Sequence, residues 1–137
     1  MKHFEAYELV DRETFERLGE ASTSLFVPAA LLALDDLREY FDAPVTVNNW
    51  QDNGEFQWRG WRTPEKAAEL GAPHSRHAVG DAFDCDVRGH TAEQARAEIL
   101  ANKDHPLLCR IMRLEADVPW LHFDLMPVSE RIVLFHK

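Results

Sequence analysis

With 137 residues, 45% of them hydrophobic, the chain has the size and composition of one domain folded on one core, residues 1–137, with no stretch that reads as disordered. The formal net charge of −9 excludes the basic face that a nucleic-acid partner would need. No apolar run approaches membrane-spanning length, and the opening "MKHFEAYELVDRE" lacks the apolar stretch of a signal peptide. Synthesis in the cytoplasm without a signal peptide, and no membrane insertion, are the expectations.

The spacing predicts a short helix over 12–20 ("RETFERLGE"). A longer one begins at Pro28, with Leu31, Leu32, Leu34, Leu37 and Phe41 as its apolar stripe. The β-branched run "PVTVN" reads as a strand at 44–48. Residues 49–62 are aromatic and punctuated by glycine, which reads as a long loop or loose hairpin. Its three tryptophans suit either a lid packed on the core or a wall facing a substrate.

"TPEKAAELG" follows as a short helix, with Thr63 as N-cap, Pro64 as first helical residue and Gly71 as stop. Thr91 and Gln94 form a capping-box pattern, so a helix is expected over 92–101. "LLCRIMRLE", "PWLHFDLM" and "RIVLFH" read as three closing strands. Cys85 and Cys109 lie in apolar runs without Cys-x-x-Cys spacing and read as buried free thiols. Helices first and strands later give an α+β order.

The segment "HSRHAVGDAFDCDV", residues 74–87, carries the densest chemistry. If "AFDCDV" is a strand, Ala82, Asp84 and Asp86 share one face, and Phe83, Cys85 and Val87 the other. In "WLHFDL", Trp120, His122 and Asp124 likewise oppose Leu121, Phe123 and Leu125. Were the two strands neighbours, Asp84 and His122 would converge. Gly80 would let the chain turn back and bring His77 alongside.

Two imidazoles and a carboxylate are a zinc-binding combination, and a catalytic zinc keeps a position open for water, acidified toward neutral pH. On spacing alone, a histidine is more often a surface or satisfied core residue. His3, His74, His90, His105 and His136 stay in that reading.

"SRHAVGDAFD" fits the pattern Ser-x-His-x-x-Gly-x-Ala-x-Asp at Ser75, His77, Gly80, Ala82 and Asp84. That pattern resembles the zinc D-alanyl-D-alanine carboxypeptidase family, which includes L,D-endopeptidases of the cell wall and shares its core with Hedgehog signalling domains. "WLHFD" is similar to the family's second metal motif, and "GWRTPEKAAELG" to the segment before the first. The likeness runs over roughly residues 28–137.

The resemblance implies an α+β fold, with N-terminal helices on a small antiparallel sheet that carries the metal on its open face. The loop 49–62 and the turn 71–80 would rim a cleft. It also implies Zn²⁺ held by His77, Asp84 and His122. Arg62 would bind a substrate carboxylate or polarise the scissile carbonyl, with Arg59 as rival on sequence alone. Ser75 would donate a hydrogen bond at the cleft edge.

Many family members place a glutamate three residues before the last histidine as general base. Here that position is Pro119. Glu115, Asp117 and Asp124 are the nearby carboxylates. Asp117 is the favoured base, and Asp124 can instead orient a ligand histidine.

The function implied is hydrolysis of peptide bonds in peptidoglycan stem peptides, of D,D-carboxypeptidase or endopeptidase type. The substrates would be wall peptides and the site of action the cell wall, with a phage or prophage lytic protein as one source. The alternative is a zinc-binding module for wall or protein binding that has lost catalysis.

Overall fold

Side-chain caps open every α-helix but the one that begins at Pro28. In the computed structural model, which describes residues 1–137, the Asp11 carboxylate accepts the Thr14 N–H at 3.1 Å and opens α1 (Arg12–Leu18). The helix expected to residue 20 stops at Leu18. Gly19 turns to φ 56°, and the chain tightens into a 3-10 run, Gly19–Leu25.

Pro28 occupies the first turn of α2 (Pro28–Phe41). Ala30, Ala33, Leu34 and Leu37 are buried on its inner face, while Leu32 is 50% exposed, so the buried stripe is narrower than the leucines suggest. The Thr63 hydroxyl accepts the Lys66 N–H at 3.0 Å and starts α3 (Pro64–Glu69). Thr91 and Gln94 form the expected capping box of α5 (Ala92–Ala101). Between these lies one turn of helix that the sequence did not announce, α4 (Arg76–Val79).

Five strands form one sheet: β1 (Val45–Thr46), β2 (Ala82–Val87), β3 (Arg113–Glu115), β4 (Leu121–Asp124) and β5 (Val133–Phe135). Their spatial order is β1-β2-β4-β3-β5. The α+β class agrees with expectation, but the sheet is not wholly antiparallel, because β5 runs parallel to β3. The cause is topological. After β4 the chain turns back, yet β2 and β3 already occupy both sides of β4, so β5 pairs beyond β3.

The strands are also shorter than the runs that announce them. In the expected strand 107–115, Pro106 has no N–H to give and His105 Nδ1 accepts the Leu107 N–H, so Pro106–Leu108 closes as a 3-10 turn. After β1, the Asn48 N–H leaves the sheet for the Glu8 carbonyl at 2.9 Å.

Alternation in β2 and β4 divides the sheet. Phe83, Cys85, Val87, Leu121 and Phe123 enter one hydrophobic cluster with Leu34, Leu37, Ile99 and Leu114. Phe26 stacks on Phe83 with ring centroids 5.3 Å apart. Burying each such ring contributes about 2–3 kcal/mol, which pins the register. A one-residue slip would turn Asp84 and His122 into the core. Cys85 is buried, as expected, while Cys109 is exposed in the turn that follows residues 106–108; both are free. No single helix is long and apolar enough to cross a membrane.

Candidate metal centre

The centre is built by strand register. On adjacent antiparallel strands Asp84 lies opposite His122, so their side chains rise from the same face. Asp84 Oδ1 and His122 Nδ1 are 2.7 Å apart. The third group comes from α4. Ser75 caps that turn, its hydroxyl oxygen accepting the His77 N–H at 3.1 Å. Gly80 ends it at φ 88° and sends the chain directly into β2. A Cβ at Gly80 would lie 2.2 Å from the Leu25 carbonyl oxygen, so glycine is required for space as well as for conformation. His77 Nε2 thereby comes to 3.3 Å from Asp84 Oδ2.

The ligating atoms of His77, Asp84 and His122 all lie within 4.8 Å of one another, and all three residues are buried. A tetrahedral zinc with bonds near 2.0–2.1 Å sets its ligand atoms about 3.3 Å apart, which is the scale of these contacts. His77 Nδ1 is 2.8 Å from the Gly60 carbonyl, which can only accept, so that nitrogen carries the proton. Nε2 is then the ring nitrogen that faces the Asp84 carboxylate and the one that would take a metal. Burial alone would raise the Asp84 pKa. The charge on His77 and hydrogen bonds from His122 and His77 outweigh it and hold this carboxyl well below the usual carboxylate range. The donor set fits a borderline divalent metal.

A second layer supports the first. His122 Nε2 donates to Asp124 Oδ2 at 2.9 Å, and Arg113 grips Asp124 with two hydrogen bonds of 2.8 and 2.9 Å. Asp124 is wholly buried; burial works against its charge, but these partners hold its pKa down at about 2. Asp124 therefore occupies the orienting position behind His122 rather than an open position in front of it.

The three groups sit in a cleft of about 600 Å³ whose walls include Arg62, Ser75, Glu115, Trp120, Phe135 and Lys137. Arg62 reaches it from the loop 49–62. Its Nε donates to the Trp58 carbonyl at 2.7 Å and its Nη2 to Asp84 Oδ2 at 3.2 Å. Arg59, the rival, makes a bidentate pair with Asp86 instead and lies over the Phe56 ring.

The loop tryptophans do not wall the cleft. Trp50 and Trp61 are buried, the first with its indole N–H on the Val10 carbonyl, and Trp58 lines a separate surface depression. The tryptophan on the cleft is Trp120, next but one to His122.

Asp117, expected as the base, lies outside the cleft. It sits in the β3–β4 turn at φ 61°, its side chain 81% exposed and paired with His136 Nδ1 at 2.8 Å. Beside Asp84 and Asp124, the carboxylate on the cleft is Glu115, 7% exposed. Arg113 pairs with Asp124 and Leu114 with Phe123, so the next step of that register sets Glu115 beside His122 on the metal face. Alternation in "RLE" carried this signal, since Arg113 and Glu115 must share a face.

Residues 2–110 match the family described as Peptidase M15. The match contains His77 and Asp84 and begins well before residue 28, while His122 lies beyond its end and is joined to the centre by β4. No curated protein and no solved structure matches the chain. The chain belongs to the peptidase M15 family.

Proposed function

We propose that this protein is a zinc-dependent hydrolase of stem-peptide bonds in peptidoglycan, of D,D-carboxypeptidase or endopeptidase type. The observation that carries the reading is the convergence of His77, Asp84 and His122 in a cleft that also presents Arg62 and Glu115. Zinc, when bound by the three, supplies a Lewis acid that acidifies water and polarises a carbonyl. The remaining chemistry belongs to the side chains. Arg62, fixed through Nε, offers its remaining N–H groups to a substrate carboxylate or to the scissile carbonyl oxygen. Glu115 accepts the proton from the attacking water and delivers it to the leaving amine. Ser75, whose oxygen serves α4, still has its hydroxyl proton to donate at the rim. Trp120 and Phe135 provide apolar wall that excludes water around the reacting bond.

Pro119, at the position where many relatives carry the base, favours a second reading, a zinc-binding module without catalysis. The two separate in one assay. Zinc-loaded protein is incubated with purified peptidoglycan, and new amino groups and released fragments are identified by mass spectrometry. Hydrolysis predicts release that both a chelator and His122→Ala abolish, and the fragments name the bond. Stoichiometric zinc with no release from several wall chemistries would replace the enzyme reading with the binding module.

A further inference from the structure

Arg113 lines the cleft and makes no hydrogen bond or ion pair with the three clustered donors; its partner is Asp124. We propose that Arg113 is a positioning residue that, through Asp124, sets the tautomer of His122 and so offers Nδ1 to the metal; the inference rests on the zinc reading above.

Every acceptor position of Asp124 is used. Oδ1 takes Arg113 Nε at 2.9 Å and the Met126 N–H at 3.1 Å. Oδ2 takes Arg113 Nη2 at 2.8 Å and His122 Nε2 at 2.9 Å. An ionised carboxylate only accepts, so Nε2 must carry its proton. That leaves Nδ1, 2.7 Å from Asp84 Oδ1, as the nitrogen on the metal side.

The arginine supplies geometry as well as charge. Its planar fork fixes the carboxylate plane, and hence the direction in which Oδ2 meets the imidazole. The fork is itself held. Arg113 is the direct β-ladder partner of Asp124, and its guanidinium lies 4.0 Å from the centroid of the Phe135 ring. Phe135 in turn meets His122 edge-on at 5.6 Å. The imidazole is thus bounded by β5 as well as by its own strand.

The test uses the whole chain with zinc as probe. Zinc affinity is measured by competition with a chromophoric chelator for wild type, Arg113→Lys and Asp124→Asn, beside the melting temperature of each metal-free protein. Arg113→Lys retains the charge and loses the fork. It is expected to bind zinc about tenfold more weakly, and Asp124→Asn about 10–100-fold more weakly. Should Asp124→Asn fail to fold, Arg113→Lys carries the comparison.

Nitrogen-15 NMR of zinc-loaded wild type gives the readout that a merely structural role would not move. His122 is expected to show a protonated Nε2 and a metal-bound Nδ1. Metal on Nε2, or an Arg113→Lys affinity within twofold of wild type, overturns the inference while leaving the zinc reading intact. Wild type that binds no zinc removes the functional reading first.

Discussion

Gly80→Ala isolates the physical reason for the glycine between His77 and Asp84. Gly80 adopts φ 88°, and a Cβ there would stand 2.2 Å from the Leu25 carbonyl oxygen and 3.0 Å from Phe26 Cα. The backbone has little room to yield. Gly80 N–H bonds to the Arg76 carbonyl at 3.1 Å, and its own carbonyl accepts the Val27 N–H at 2.9 Å. The left-handed conformation costs about 1–2 kcal/mol for alanine, and forcing a methyl against backbone adds about 1–3 kcal/mol. Gly89 is the control, since it has φ 85° with nothing within 4 Å of its added Cβ, so Gly89→Ala bears only the first cost. At roughly 4 °C per kcal/mol for a chain of this size, Gly80→Ala should melt about 4–12 °C below Gly89→Ala. Because relief of the clash moves the end of α4, and His77 with it, zinc affinity should fall in Gly80→Ala alone. Circular-dichroism melts and a zinc titration read both effects. Equal melting of the two variants with equal zinc affinity would refute the packing argument.

Two further outcomes follow from the cleft. Glu115→Gln should lower the peptidoglycan hydrolysis rate about 10²–10⁴-fold at unchanged zinc occupancy, whereas Asp117→Asn should stay within about twofold of wild type. The reverse ranking would return the base to the turn. Zinc binding should depend on pH through His122. Burial would lower the pKa of this ring, but hydrogen bonds to Asp124 and Asp84, and their charges, raise it to about 9 in the metal-free protein. Below that pH both ring nitrogens hold protons, and zinc must displace the one on Nδ1. Affinity should therefore rise about tenfold per pH unit from 7 toward 9 and flatten above. Calorimetry in buffers of different ionisation enthalpy should show a proton released at pH 7, and affinity flat across this range would count against the arrangement.

The grouping of His77, Asp84 and His122 was legible because its evidence is local. Alternation in residues 82–87 and 120–125 separates the oily face from the ligand face, and Gly80 marks the turn that returns His77. Register was not legible, since the pairing of Asp84 with His122 is a long-range choice made by core packing of Phe83 and Phe123. The outward direction of Asp117 was not legible for a related reason. Asp117 is closer to His122 in sequence, but chain proximity gives no direction at a turn, whereas Glu115 lies on a strand whose alternation does. Arg113 was missed because nothing in "RIMRLE" pairs it with Asp124 until β3 and β4 lie side by side. The parallel placement of β5 and the 3-10 turn at Pro106–Leu108 depend likewise on which neighbours are already occupied and on where a proline withholds its N–H.

Elemental analysis of protein purified without chelator, then dialysed after exposure to one equivalent of zinc, bears most directly on whether His77, Asp84 and His122 hold one ion. Wild type is expected to retain one zinc per chain, and each of His77→Ala, Asp84→Asn and His122→Ala to lose stoichiometric zinc while the fold persists. Wild type that retains no zinc, or variants that retain it undiminished, would contradict a site shared by the three.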